Sequence, residues 1–586
     1  MFTSRYKKLE TAIVKVLNNH DIPTLMVKWN WIPFYGHWGV STSYFQTAAE
    51  ESRLGKPGSV QERAAEIATL VAQEIELPSG FEKCEAVKGY LNIYFNAAYF
   101  TQLVIDSVLL EREKYGSIKK SLELVMVEFS QPNTHKAFHV GHLRNVVIGD
   151  AVSNILDFAG NQVIRANYIG DIGLHAVTWL WNYEKYHHGV QPPEKDQICW
   201  IGDLYTEAVK RREESSENKE EIKTYFKRWD AKDPEIFSLW KKTRQWSIHA
   251  FEQIYDLLDI HFDRVYFESE VEEEGKKLVG EFIKRGLAKD ERPEGPVVIY
   301  LDELLRTNEE YRVLVLLRSD GTSLYSSKDL SLAIKKFREY ELDRSIYVVD
   351  VRQSLYLKQI FKALELMGYK WARKCFHLAY EIVNLPGNVT IASREGTVVL
   401  MEDLIREAEK RALRIVEEKN PNLDRDQKSI IARTVAIGAI KFSLLSRDNT
   451  KVVTFDWETA MNINGKAAPY IQYAAVRANS ILRKASFAIP QSEEIGFSLK
   501  HEEIELINLI SRFPYEVKHA AEELRPLLIS QYVYELAKAF NNFYTNCPVL
   551  KVDENLRNFR LRLVAASKQT IANSLALLGI QFPEKM

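Results

Sequence analysis

The sequence predicts a parallel α/β unit split by a helical insertion, with an α+β module ahead of it and an all-α unit behind it. Three observations carry this. An apolar run, Leu122 to Phe129, reads as a strand buried on both faces, and a Pro-Asn turn leads from it into a helix-like pattern, Leu143 to Phe158. Strand and helix patterns resume near Val313 after a long, charged helical stretch. From about Asp424 to Met586 apolar residues recur at three- and four-residue spacing with basic residues between them.

In chain order, residues 1–115 combine an amphipathic helix (Tyr6 to Leu17), a Gly- and aromatic-rich middle, a helical stretch (Val60 to Ile75) and a strand-like Tyr90 to Phe95. The α/β unit occupies residues 116–390, interrupted at about 183–289. Inside the interruption the charge run Glu213 to Glu221 reads as a solvated helix face or loop. The sheet is expected to resume with Val313 to Leu317, turn at Asp320-Gly321, and continue as Thr322 to Tyr325. Asp329 then falls in the first turn of a helix, and the strand Ser345 to Asp350 delivers Gln353 to the same carboxyl edge, where open α/β sheets bind ligands. Residues 391–423 read as a loop and connection, and residues 424–586 as the helical unit.

At 586 residues the chain is too long for one core. Hydrophobic and charged contents of 46% and 27% are those of an ordinary globular protein. The apolar runs are short of a membrane span and the opening residues lack a secretory core, so a cytoplasmic protein without membrane contact is expected. Cys84, Cys199, Cys375 and Cys547 are scattered without a CxxC pair, which argues against a disulfide framework or a zinc site. With a formal net charge of −2, any nucleic acid must be held by local basic patches.

The chemistry concentrates between Glu128 and Asp150. His139 and His142 are three residues apart at a helix start and share a face. Gly141 allows close approach to the backbone, and the free N–H groups of a helix N-terminus favour phosphate. Two imidazoles there can donate to phosphate oxygens during displacement. This pattern predicts a nucleotide-phosphate site.

Glu-x-Ser-x-Pro-Asn at 128–133, His-Val-Gly-His-Leu-Arg at 139–144 and Asn167-Tyr-Ile-Gly-Asp-Ile-Gly173 together resemble the core of class I aminoacyl-tRNA synthetases, and among them the arginine-specific family. The resemblance covers essentially the whole chain. It implies a Rossmann-like catalytic domain with a connective insertion, an N-terminal additional tRNA-binding domain and a C-terminal helical anticodon-binding domain. His139, Gly141, His142, Gly170 and Asp171 would bind ATP, and Glu128, Asn133, Tyr325, Asp329 and Gln353 would bind arginine. A guanidinium is a planar fork of donors, and a carboxylate is its discriminating partner, so Asp329 and Glu128 are the candidates for the side chain. Tyr325 would pack its planar end, with Asn133 and Gln353 at the amino-acid head.

The family's mobile lysine-bearing loop reads here as Thr390-Ile-Ala-Ser-Arg394-Glu-Gly396, without lysine. Lys136 and Arg394 are therefore expected to supply the positive charge toward the triphosphate. The tRNA would meet Asn92 and Phe95 in the first module, although a glutamine used nearby by some members is Ala97. In the helical unit it would meet Tyr470, Tyr473 and Arg477, since aromatic planes beside cations suit unstacked bases. Arg557, Arg560 and Arg562 read as a further basic strip.

The implied activity is arginine--tRNA ligase, with arginine, tRNA(Arg) and ATP brought in with Mg2+ as its substrates, no resident metal, and a monomer as the working form. A class I synthetase of another specificity is one alternative. A catalytically silent tRNA-binding paralogue is the other, kept open by the lysine-free loop.

Overall fold

In the computed structural model, which describes residues 3–34, 36–119, 123–385, 389–390, 401–485 and 495–586, the chain opens with α1 (Thr3–Asn19). Helices α2 (Phe45–Arg53) and α3 (Val60–Glu74) accompany β1 (Asn30–Trp31), β2 (Gly39–Ser43), β3 (Phe81–Val87) and β4 (Tyr90–Phe95). These strands form an antiparallel sheet in the order β1-β2-β4-β3. Along β4 the alternation of apolar and polar residues buries Leu91, Ile93 and Phe95 on one face and leaves Asn92 and Tyr94 half-buried on the other. Helix α4 (Ala97–Glu111) starts where the Asn96 side chain accepts the Tyr99 N–H at 3.0 Å. It leaves the module to dock on the C-terminal helices, where Asp106 pairs with Arg562 and the Tyr115 hydroxyl donates to the Ile510 carbonyl at 2.9 Å.

The central unit alternates strand and helix: β5 (Leu124–Glu128), α5 (Val140–Phe158), β6 (Gln162–Ile169) and α6 (Leu174–Tyr186). The insertion follows as α7 (Gln197–Glu214), α8 (Ser216–Asp230) and α9 (Pro234–Leu257). It has an apolar cluster of its own around Trp179, Trp229 and Trp240. Then come β7 (Arg264–Phe267), α10 (Glu268–Lys284), β8 (Lys289–Asp290), β9 (Val297–Tyr300), α11 (Leu301–Leu305), β10 (Val313–Leu317) and α12 (Tyr325–Tyr340). The unit closes with β11 (Arg344–Asp350), α13 (Ser354–Leu366) and β12 (Cys375–Tyr380). Five strands form one parallel sheet in the order β12-β11-β5-β6-β7.

Three expectations are corrected here. Strand β7 lies inside the stretch read as a helical insertion, yet it pairs in parallel with β6 and completes the sheet. Val313–Leu317 does not rejoin that sheet: it pairs antiparallel with β9 in a separate three-stranded sheet, β10-β9-β8. An uninterrupted apolar run does not distinguish these two settings, because Leu314, Leu316 and Leu317 are buried against a second core either way. The strand expected at 322–325 reduces to a single bridge between Ser323 and Leu317, and α12 already begins at Tyr325.

After β13 (Val383–Leu385) and β14 (Val389–Thr390) comes α14 (Met401–Lys419), a helix where a loop was expected. It packs against α15 (Arg425–Leu445), capped by the Asp424 side chain on the Gln427 N–H at 2.8 Å. Next are β15 (Val453–Thr454), which runs parallel to β13, and α16 (Trp457–Ala460). The bundle is completed by α17 (Ala468–Lys484), α18 (His501–Glu523), α19 (Pro526–Asn546) and α20 (Glu554–Leu577). One continuous core joins the first module, one face of the parallel sheet and the bundle. Among the described residues no helix is long and apolar enough to cross a membrane.

Candidate active site

Strand β5 ends at Glu128, and the chain then runs through three left-handed residues, Ser130 (φ 77°), Gln131 (φ 50°) and His135 (φ 61°), before entering α5. Non-glycine residues hold this conformation only where neighbours over-determine it. They do: the Ser130 N–H donates to Asn145 Oδ1 at 2.6 Å, the Gln131 N–H to Asn167 Oδ1 at 3.1 Å, and the His135 N–H to Ser247 Oγ at 3.0 Å. Both His135 ring nitrogens meet threonine hydroxyls, of Thr134 and Thr243, at 2.9 Å. The whole 128–145 stretch is thereby fixed against β6 and α9.

His139 is the N-cap of α5. Its Nδ1 accepts the Gly141 N–H at 3.1 Å, while His142 Nδ1 accepts the His139 N–H at 3.2 Å. Both Nδ1 atoms are therefore acceptors, and in the neutral rings the proton sits on Nε2. The rings stack with centroids 3.9 Å apart. Burial, with Lys136 as a further cause, pushes His139 down to about 4. Burial and the neighbouring His139 push His142 well below its ordinary value. The pair is neutral near pH 7. A Cβ on Gly141 would lie 2.9 Å from His139 Nδ1, so the glycine makes room for the capping ring.

Beside this helix start, at the carboxyl edge of the sheet, lies a cavity of about 410 Å³, within the size range of small-molecule sites. Glu128, Asn133, Gly170, Tyr325, Asp329 and Gln353 all line it. Five of these are the residues aligned with the arginine site, and they come from three separate segments of chain. Asn133 is bridged to Gly170, and a Cβ on the glycine would collide with Asn133 Oδ1. Neither His139 nor His142 lines this cavity.

Three carboxylates face the cavity, and two of them have cations. Glu128 pairs with Lys336, which is fully buried, and also accepts the Gln131 amide at 2.9 Å. Glu268 pairs with Lys328. Asp329 has no cation at ion-pairing distance among the described residues; its partner is the Tyr356 hydroxyl, 2.5 Å away. Burial first, and then the charges of Glu268 and Glu128, push its carboxyl up to about 7. Glu128, expected beside Asp329 as a guanidinium partner, is thus already matched from within.

Glu268, Tyr356 and Lys336 were not anticipated. Glu268 opens a run of acidic residues that reads as solvated surface, and the strand before it was hidden in the insertion. Lys336 did leave a signal: it stands seven residues after Asp329 and so on the same helix face.

A second cavity, of about 490 Å³, adjoins the first at Tyr325 and is lined by Lys136, Arg212, Arg318 and Lys328 together with Asp230 and Glu272. The Lys136 ammonium sits 5.3 Å from the Tyr205 ring centroid, and burial lowers its pKa. Arg394 lies outside the described residues. Asp171 is corrected: it is fully buried, accepts the Ser269 N–H at 2.9 Å and hydroxyl at 2.6 Å, and pairs with Arg244 at 2.9 Å. Its carboxylate is an internal anchor and is not available to a nucleotide.

Of the nucleic-acid candidates, Asn92 is half-buried on the outer face of β4. Phe95 is only 3% exposed and stacks on Phe100 at 4.4 Å, so it is core. Tyr470, Tyr473 and Arg477 lie together on α17. They line a groove of about 370 Å³, and Tyr473 and Arg477 continue into another of about 590 Å³ with Arg483, Lys484 and Lys551. Arg477 lies 4.7 Å over Tyr473 and 4.6 Å over Tyr544. Arg560 and Arg562 are corrected: each is 2% exposed, and they pair with Glu503 and Asp106, so there is no outward basic strip.

Residues 104–457 match the family described as tRNA synthetases class I (R), catalytic domain, and residues 471–586 match the DALR anticodon binding domain. The arginine--tRNA ligase of Alkaliphilus metalliredigens is 34% identical over 523 residues, 89% of this chain and 90% of its own. That of Clostridium botulinum (strain 657 / Type Ba4) is 35% identical over 522 residues, 88% of this chain and 91% of its own. The solved arginyl-tRNA synthetase of Thermus thermophilus superposes with a TM-score of 0.79 at 28% identity, covering 99% of this chain and 100% of that one.

Proposed function

The chain belongs to the class I tRNA synthetases of the arginine-specific family and ligates arginine to tRNA using ATP, and from that premise we propose that the 410 Å³ cavity is its arginine site. The observation that carries this assignment is Asp329: in a cavity lined by five aligned residues, it is the carboxylate with no cation at ion-pairing distance among the described residues. A guanidinium entering there gains a desolvated, charge-assisted partner. Tyr356 holds Asp329 in place, Tyr325 covers the planar group, and Asn133 and Gln353 face the amino-acid head. Glu128 and Glu268, each held by its lysine, accept through their remaining lone pairs.

In the first step the arginine carboxylate attacks the α-phosphorus of ATP; a carboxyl O–P bond forms and pyrophosphate leaves. His139 and His142, neutral and protonated at Nε2, donate to phosphate oxygens as charge moves onto them. Lys136 and Arg394 supply positive charge. Mg2+ arrives with ATP as part of the substrate and neutralises phosphate charge. In the second step the terminal ribose hydroxyl of tRNA attacks the activated carbonyl and AMP leaves. Catalysis by positioning and charge stabilisation suffices, without a side-chain nucleophile. Tyr473, Arg477 and Tyr544 provide stacking planes and a cation for anticodon bases, and Asn92 a polar contact for an outer loop of the tRNA. The enzyme is read as a cytoplasmic monomer specific for tRNA(Arg).

Exchange of pyrophosphate into ATP, run with each amino acid and with and without tRNA, tests the assignment. Arginine alone among the amino acids is expected to support exchange. Exchange with a different amino acid would overturn the arginine assignment of the cavity.

A further inference from the structure

Arg144 stands two residues beyond His142 on α5 and has no solvent exposure. Its guanidinium holds two separate segments of chain at once. Nη1 donates to the carbonyls of Glu381 and Ile382, the latter at 3.1 Å. Nη2 donates to the carbonyls of Asp448 at 3.2 Å and Lys451 at 2.9 Å. No carboxylate pairs with it among the described residues, and burial pulls its pKa down to about 10, so it stays charged. Four carbonyls in two directions suit a planar fork and not a point charge.

The two segments are the exit from the catalytic sheet and the entrance to the bundle. Glu381 and Ile382 link β12 to β13, while Asp448 to Lys451 link α15 to β15. They are also joined directly: the Glu381 N–H donates to the Asn449 carbonyl at 2.9 Å, and the Val453 N–H to the Ile382 carbonyl at 3.1 Å. The Asp448 carboxylate pairs in turn with Arg525, the N-cap of α19. That helix, roughly 30 Å long at 1.5 Å per residue, carries Tyr544 near its other end, in the basic groove. Further along α5, Asp150 lies 3.9 Å from Lys441 of α15, whose ammonium caps the Leu258 and Gly579 carbonyls at 2.6 and 2.7 Å.

We propose that Arg144 is a positioning residue for adenylate formation, fixing His139 and His142 relative to the strand end beyond β12 and, through Asp448 and Arg525, to the helical bundle. The proposal rests on the reading of the two histidines as the phosphate-facing pair. It extends that reading to a side chain that touches no substrate.

The test uses the full chain carrying Arg144→Lys, Arg525→Met or both, assayed by arginine-dependent pyrophosphate exchange with tRNA present. Arg144→Lys is expected to lower kcat roughly 30- to 100-fold, the cost of a misplacement near an ångström, with the arginine KM within about twofold. Arg525→Met, at a partly exposed residue, is expected to lower kcat about fivefold alone and to add nothing in the Arg144→Lys background. A lower Tm with kcat retained, or effects that simply multiply, overturns the proposal. Should Arg144→Lys not fold, Arg525→Met decides: an unchanged kcat overturns it. His142→Gln separates the two readings. If it leaves kcat intact, the histidine assignment has failed; if it lowers kcat while Arg144→Lys does not, only the positioning role has.

Discussion

Lys336 and Glu128 stand 208 residues apart in sequence and form an ion pair, scarcely reached by solvent, beside the proposed arginine cavity. The pair removes Glu128 from the contest for a cation and leaves Asp329 as the carboxylate of this cavity without a cation at ion-pairing distance among the described residues. The Lys336 ammonium also lies 4.1 Å from the Tyr347 ring centroid, so its second neighbour is a π face.

Removing one member of such a pair leaves a buried charge alone. Lys336→Met is expected to cost about 3–5 kcal/mol of stability in denaturant unfolding. Adding Glu128→Gln to Lys336→Met is expected to restore most of that loss, since neither charge then remains. A double variant as unstable as Lys336→Met would show that packing, and not charge pairing, is what Lys336 contributes.

Asp329→Asn keeps the shape and the Tyr356 contact but removes the charge. Losing a desolvated ionic partner costs about 2–5 kcal/mol, so the arginine KM is expected to rise at least roughly thirtyfold. The ATP KM is expected to move by less than about threefold. Equal effects on both constants, measured in the same exchange assay, would remove Asp329 from the pocket.

Because burial and the charges of Glu268 and Glu128 hold Asp329 near 7, arginine capture should follow its ionisation. The kcat/KM for arginine is expected to rise with unit slope below about pH 7 and level off above it, and Asp329→Asn should flatten that slope. The stability linkage has the opposite sign. A carboxyl whose folded pKa is raised binds more protons in the native state than in the unfolded one between its ordinary value and about 7. The free protein is therefore expected to lose stability as pH rises across that window, less so with saturating arginine present. The histidines contribute the reverse: their depressed pKa values make stability fall as pH drops from the ordinary imidazole range toward about 4. Unfolding midpoints across pH in Asp329→Asn and in the parent separate the two.

That five distant residues would share one opening was legible from the resemblance together with the βα order of the chain. The parallel strands β5 and β11 end at one edge of the sheet and bring Glu128, the Asn133 loop and Gln353 together there, whereas Tyr325 and Asp329 arrive on α12 after a separate sheet, and the resemblance alone named them. The sheet's fifth strand was not legible. Arg264–Phe267 is short and lies between two charged helices, so its pairing with β6 leaves no periodic trace. The role of Asp171 was misread because a motif gives a residue's type and not its direction; its carboxylate turns inward to Ser269 and Arg244. Phe95 was misread for the same reason, since a strand's alternation tells that two faces exist but not which one is covered. Arg560 and Arg562 look like surface charge in sequence, and only the opposing Glu503 and Asp106 from distant helices show them to be internal.

Gly141 offers the sharpest test of how the stacked histidines are held. A methyl group there would lie 2.9 Å from Nδ1 and Cε1 of His139, too close for either atom, so Gly141→Ala must displace the capping ring. Displacement breaks the bond from the Gly141 N–H and disturbs the ring against which His142 stacks. The helix itself should tolerate alanine, which has the better helical propensity by about 1 kcal/mol, so global stability is expected to change little. Adenylate formation is expected to slow by roughly a hundredfold while the arginine KM holds, because the proposed arginine cavity does not include either imidazole. Single-turnover formation of adenylate, followed beside thermal unfolding, checks both halves. If the rate survives, the phosphate-facing role does not depend on the His139 ring in its capped position.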